Sequence, residues 1–243
     1  MNRLLYNQEG FPVLQNRVYD SLEAAVDCPR GDIRLVEDHE TGLIYNAAFD
    51  GSLLQYDAEY NNEQGWSRTF REHLKEVEEI VDRFMGREKL LEVGCGKGLF
   101  LEILLKNGFD LCGFDATYDG SNERIEKRNF ESGVIRSPSR GLILRHVLEH
   151  IPDPLEFLLE IKAANGGGGL IYIEVPCFDW ICKHRAWYDI FYEHVNYFRL
   201  KDFQQMFETI HAIGHFFGGQ YLYVVADLET VRRPQSKPSR KVD

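Results

Sequence analysis

With 243 residues and 44% hydrophobic content, the chain can bury one sizeable core and still carry an appended element. A formal net charge of -11 argues against a nucleic-acid partner, since a duplex binder presents a basic face, and no run of about 18 apolar residues offers a membrane span. Five cysteines, an odd number at 28, 95, 112, 177 and 182, suit a reducing compartment, and the N-terminus lacks a charged-then-apolar leader, so a cytoplasmic protein is expected.

Between 11 and 50 no helical period appears. Asp32 to Val36 and Leu43 to Asn46 read as short strands around Asp38-His39-Glu40-Thr41-Gly42, a β-hairpin. Cys28 and His39 are too few ligands for a structural zinc there. Tyr56 to Gln64 is dense in aromatic and amide groups without apolar periodicity, which suits a lid. From Trp66 onward, Phe70, Leu74, Val77, Val81 and Phe84 recur at spacings of four and three. That is one stripe of an amphipathic helix, ending before Gly86 and packing on a sheet.

Leu91-Glu92-Val93-Gly94-Cys95-Gly96-Lys97-Gly98 is an acid-bearing apolar strand that runs into a glycine-rich turn. Leu99 to Asn107 continues as a helix stopped at Gly108, and a second apolar run ends in Phe114-Asp115. Together they form the first half of a Rossmann-like unit. Two cofactor loops are excluded by spacing. The dinucleotide pattern G-x-G-x-x-G fails at Leu99 and Leu101, and a P-loop fails because Lys97 precedes Gly98 instead of Ser or Thr.

The remaining pattern, E-x-G-x-G-x-G, resembles motif I of class I S-adenosylmethionine-dependent methyltransferases. The resemblance implies S-adenosylmethionine as cofactor. It implies that Gly94, Cys95, Gly96 and Gly98 pass beneath the methionine part, that Glu92 is the acid inside the first strand, and that Asp115 with Ala116 meets the ribose. Glycine lets backbone approach a ligand closely, and a carboxylate accepts two hydroxyl hydrogen bonds. It further implies an α/β, Rossmann-like fold: a mostly parallel seven-stranded sheet with an antiparallel terminal hairpin, here with a small N-terminal β-hairpin element.

Only 25 residues separate Asp115 from Gly141, so the third strand is expected to be short, over Gly133-Val134-Ile135. Gly141 to Leu144 is the next strand. After it Asp153 is the expected N-cap ahead of Pro154, and a helix over Leu155 to Ala164 is stopped by Asn165 and four glycines. Leu170 to Pro176 is a strand and Lys201 to Ile210 a helix. His211 to Phe217 and Gln220 to Asp227 form a hairpin around Gly218-Gly219. The expected divisions are 1–55, an N-terminal extension; 56–228, the cofactor-binding domain; and 229–243, a basic, disordered tail.

Three further segments narrow the resemblance. Y-x-x-x-Y-x-x-x-Q before the first helix, H-V-L-E-H-I after the strand at 141–144, and Y-E-H-x-x-Y-F after the strand at 170–176 are together similar to sugar C-methyltransferases. These act on nucleotide-linked ketosugars, and the match is to a short form without the second domain of longer relatives. The resemblance implies that His194 removes a proton next to a ketone and that Glu193 orients or charge-balances it. His150 and a lid tyrosine, Tyr60, complete the acceptor side. His146 lies on the cofactor side, and Gln64 closes the pocket with Tyr60. Two ionisable groups in an aromatic setting need partners or a task, whereas Phe191 and Phe198 read as core. Cys177, Cys182 and His184 have a metal-like spacing but no second ligand pair, so no metal is expected. The expected partner is a small-molecule acceptor. Two alternatives stay open: O- or N-methylation of a natural-product-type metabolite, and a non-catalytic module that only binds the cofactor.

Overall fold

The computed structural model describes residues 1–15, 17–54, 65, 67–131, 133, 135 and 137–234. At the N-terminus β1 (Arg3–Pro12), β2 (Arg30–Glu37) and β3 (Ile44–Asn46) run antiparallel, and β2 with β3 is the expected hairpin. Its turn is closed by Asp38, which accepts from the Glu40 and Thr41 amides at 3.0 and 2.7 Å. Helix α1 (Leu22–Val26) was not visible in the apolar spacing. It is little more than one turn, starts at the Ser21 cap and buries no side chain, so it leaves no stripe to read.

Helix α2 (Arg68–Met85) starts at the Ser67 cap and stops at Gly86, where φ is 70°. Its buried stripe is Phe70, Leu74, Val77, Val81 and Met85; Met85 takes the place expected for Phe84, which is only half-buried. Each such side chain contributes about 1.5–3 kcal/mol on burial. A charge at Val77, which is fully buried, therefore breaks the contact between helix and sheet.

The chain continues through β4 (Leu90–Val93), α3 (Leu99–Lys106), β5 (Leu111–Phe114), β6 (Ile125–Glu126), β7 (Gly141–Arg145), α4 (Pro154–Ala164) and β8 (Leu170–Pro176). Then come α5 (Phe178–His184), β9 (Asn196–Tyr197), α6 (Leu200–Met206), β10 (Ile210–Phe216) and β11 (Tyr221–Asp227). The central sheet has the order β10-β11-β8-β7-β4-β5-β6, parallel from β8 to β6, with β11 antiparallel between β8 and β10. This is the expected Rossmann-like sheet with its terminal hairpin. β4 and β8 are covered on both faces, and their apolar runs are interrupted only by Glu92 and by Tyr172, Glu174 and Pro176. The two-residue β9 pairs with β3, so the N-terminal sheet has four strands in the order β1-β2-β3-β9. Among the described residues no helix is long and apolar enough to cross a membrane.

Three expectations need correction. The third strand lies at Ile125–Glu126, pairing with Gly113 and Phe114, whereas of the expected 133–135 neither Gly133 nor Ile135 is in a strand and Val134 lies outside the described residues. No helix intervenes. The Tyr118 hydroxyl accepts from the Asn122 amide at 2.7 Å, and the Asn122 side chain and carbonyl accept from the Arg124 and Ile125 amides at 3.0 Å each. This hydrogen-bonded turn takes the place of a crossover helix and sets Ile125 beneath Gly98, whose Cβ position lies 2.5 Å from the Ile125 side chain. Near the C-terminus, α6 ends at Met206, because Phe207 turns inward to pair with Val231 and Ile210 already opens β10. Order thus runs past 228: Val231 is buried and the Arg232 amide donates to the Met206 carbonyl at 2.8 Å.

Candidate active site

The strand order reverses between β4 and β7, so their C-terminal ends open a crevice where open α/β sheets bind ligands. The turn after β4 is built from backbone. Gly94 and Cys95 both donate to the Phe114 carbonyl, at 2.8 and 3.2 Å. Gly94 has φ of 71°, and a Cβ there would strike the Val147 side chain on the turn after β7. Gly96, at φ of 56°, has nothing within 4 Å of its Cβ position, and its amide donates to Asp115 Oδ2 at 2.8 Å. The other Asp115 oxygen accepts from the Thr117 amide and hydroxyl at 2.8 and 2.7 Å. Gly98 begins α3 in the left-handed conformation, and Ala116 is exposed beside Asp115.

Glu92 lies in mid-strand, opposite Gly113 on β5 and Ile143 on β7, is 2% exposed, and leaves Oε2 without a hydrogen bond. Burial raises its pKa to about 7; Arg145 opposes this, while Asp115 and Glu174 add to it. Burial, with Glu92 and Asp115 nearby, pushes the Cys95 thiol far up, so it is an inert wall.

Below the crevice Glu174 gathers a buried polar network. It accepts from the Tyr172 hydroxyl at 2.7 Å, from His73 Nε2 at 3.0 Å and from the Arg145 guanidinium at 3.1 Å. His146 Nε2 lies 3.0 Å from the same carboxylate as an ion pair rather than an aligned hydrogen bond. Burial opposes the Glu174 charge, but Arg145, His146 and His73 outweigh it and hold the carboxyl well below its usual range. Burial likewise opposes a charge on His146, and Glu149 and Glu174 outweigh it, raising His146 to about 9. The Arg145 guanidinium stacks over Phe100 at 4.7 Å.

The side expected to face the acceptor is built from side chains. A 3-10 turn after β7, Leu148–His150, carries Glu149 and His150. His150 Nδ1 is 2.9 Å from the Glu193 carbonyl, and the His150 and His194 rings are 4.9 Å apart at 72°. Glu193 is fully buried; one of its oxygens accepts from the Gln15 amide at 3.0 Å and the other has no partner. Burial, then His150 and His146, push His194 well below the ordinary histidine range, so its imidazole is neutral. The segment is braced by the N-terminal sheet: the Asn46 amide donates to the Val195 carbonyl at 2.7 Å, and the Tyr192 hydroxyl accepts from the Asp50 amide at 2.7 Å.

The fold thus brings His150, Glu193 and His194 together, with His146 one turn away facing Glu174. Tyr60 and Gln64 lie outside the described residues. Phe198 is core, as expected, but Phe191 is half-buried and packs on the His194 ring at 3.7 Å, so it walls the site. Cys177 is buried while Cys182 is exposed, and both thiols are pushed up by burial. Sequence reasoning missed Glu149, Glu174 and Gln15. An acid set among apolar residues, the sign that marked Glu92, was present at Glu174 too; nothing in the sequence ties Gln15 to Glu193.

Residues 66–210 match the family described as methyltransferase domain. The chain belongs to this family. Among solved structures, this methyltransferase is similar to a protein of Pyrococcus horikoshii OT3 at 14% identity and TM-score 0.50, over 71% of this chain and 99% of the other. It is also similar to the plantazolicin methyltransferase BpumL, solved with a pentazolic desmethylPZN analog and SAH, at 16% identity and TM-score 0.50, over 68% and 87% of the two chains. A putative O-methyltransferase from Nostoc punctiforme PCC 73102 matches at 15% identity and TM-score 0.50, over 68% of this chain and 58% of its own. At these identities the likeness concerns the fold. No curated protein matches in sequence. Membership bears out the enzyme class and, with it, the donor that the glycine turn implied, S-adenosylmethionine. The residues fit that donor: Gly96 leaves open space at the turn, and Glu92 offers a buried oxygen without a partner.

Proposed function

We propose that this methyltransferase methylates a small-molecule acceptor at carbon, a nucleotide-linked ketosugar or related metabolite, with His194 as general base. The observation that supports this reading is the pairing of a neutral, buried His194 with His150, beside the turn that follows β7. S-adenosylmethionine supplies, when bound, a methyl group already activated by positive sulfur. Gly96 would give it backbone clearance, Gly94 and Gly98 let the turn pack against Val147 and Ile125, and Asp115 would accept from its hydroxyls.

At the acceptor, the lone pair of His194 takes a proton from the carbon next to the ketone, leaving an enolate carbon as nucleophile. His150 donates from Nδ1 to the Glu193 carbonyl, which fixes its tautomer and leaves Nε2 to accept from an acceptor hydroxyl. Glu193 balances the charge that arises on His194, and Phe191 keeps water from the ring. With the methyl activated, these residues contribute chiefly by holding the nucleophile in line.

The test uses carbon-13-methyl donor with a panel of nucleotide-linked ketosugars, phenols and amines. Label at a carbon next to a ketone, together with His194-dependent deuterium uptake at that carbon in heavy water, is expected. Label at oxygen or nitrogen overturns C-methylation. Absence of transfer with S-adenosylhomocysteine still bound favours a binding module.

A further inference from the structure

We propose that Glu149, His150 and His194 form a binding site for one divalent transition-metal ion of the zinc class, whose occupation blocks the proton transfer assigned to His194. One ligand atom from each lies within 4.8 Å of the others, and no other His, Cys, Asp or Glu group among the described residues is gathered so closely. Two imidazoles and a carboxylate are a three-ligand donor set that leaves one position to solvent. Nitrogen-rich donors of this kind select zinc, cobalt, nickel or ferrous iron over magnesium and calcium.

A second observation is independent of that spacing. Glu149 is 1% exposed, and neither of its oxygens has a hydrogen bond. Its nearest cationic neighbour, His146 Nδ1, stands 3.4 Å away without hydrogen-bond alignment. The charged His146 balances part of the Glu149 charge but leaves both oxygens without a hydrogen bond, which is costly for a buried carboxylate, and a cation between it and the two imidazoles would offset that cost. His150 is also prepared as a ligand. Its Nδ1 faces the Glu193 carbonyl at 2.9 Å, the support that fixes a metal-binding imidazole, and Nε2 keeps its lone pair.

Tetrahedral zinc with bonds near 2.1 Å sets its donors about 3.4 Å apart. The donors here span up to 4.8 Å, so occupation draws the side chains together by on the order of 1 Å. The lone pair on His194 either takes a proton or binds the ion. Blocking therefore rests on the reading of His194 as base, whereas binding itself does not.

The full chain, stripped with a chelator, is titrated with cobalt(II). One equivalent is expected to give visible ligand-field bands without a thiolate charge-transfer band, and proton spectra with two paramagnetically shifted imidazole N–H signals. Glu149→Gln, with folding checked by S-adenosylhomocysteine binding, is expected to weaken cobalt at least ~10-fold, the loss that even outer partners of a ligand cause. Absence of bands, fewer than two shifted imidazoles in the native chain, or unchanged affinity in Glu149→Gln overturns the site. One equivalent of zinc is expected to stop methyl transfer, and chelation to restore it. If chelation instead abolishes transfer, the site stands and His194 as base falls; if cobalt fails to bind while transfer persists, the site alone falls.

Discussion

In the half of the crevice proposed for the donor the turn is built from residues 92–126, through backbone amides bonded to Phe114 and Asp115, glycines and one carboxylate. In the acceptor half the groups are side chains at 149, 150, 193 and 194, braced by Gln15 from 178 positions away. A site made of backbone geometry is part of the fold, so changing it disturbs stability and binding together. A site made of side chains resting on a finished scaffold can lose its chemistry and keep its shape. The two halves should therefore respond differently to substitution.

The largest effect is expected on the acceptor side. His194→Asn should lower turnover by ~10²–10⁴-fold, the usual contribution of a positioned base, with S-adenosylhomocysteine affinity unchanged by calorimetry. Loss of both together would show that the halves are not separable. Gly94→Ala should do the opposite. A left-handed alanine costs about 1–2 kcal/mol and contact with Val147 about 1–3 kcal/mol more. Unfolding free energy in urea and S-adenosylhomocysteine binding should fall together, and adding Val147→Ala should recover the steric share.

Glu92 supplies a third, smaller contrast. An acid whose pKa rises on folding favours the folded chain while protonated; that contribution is whole below 4.5 and is lost as pH climbs through about 7. A rise from 4.5 to about 7 corresponds to about 3 kcal/mol. Urea denaturation at pH 4.5 and pH 8 should show Glu92→Gln gaining stability relative to the native chain by up to that amount at the higher pH. A difference that does not change with pH would mean that Glu92 does not ionise in this range.

The same contrast decides what the sequence revealed. The turn from Glu92 to Asp115 was legible because spacing along the chain fixes its geometry, and so was the stripe of α2. The third strand was misplaced because a turn anchored by Tyr118 and Asn122 does the work expected of a helix, and such a turn has no period. β9 has two residues and pairs with β3, far earlier in the chain, so no local pattern announces it. Glu193 and His194 were found by the resemblance of their segment. Glu149 was passed over between two histidines, although its burial without a hydrogen bond is the more unusual fact.

Gly96→Ala gives the smallest expected change in stability and the sharpest test of the donor half. Its φ of 56° costs alanine about 1–2 kcal/mol, but the added methyl meets nothing within 4 Å, and the amide to Asp115 is kept. The unliganded variant should thus melt only slightly below the native chain, unlike Gly94→Ala. If the donor lies over this open side of the turn, the same methyl intrudes on it, and overpacking of about 1–3 kcal/mol should weaken S-adenosylhomocysteine by ~10–100-fold. Native affinity in a folded Gly96→Ala chain would place the donor elsewhere and break the assignment of residues 94–98, leaving the left-handed φ alone to account for that glycine.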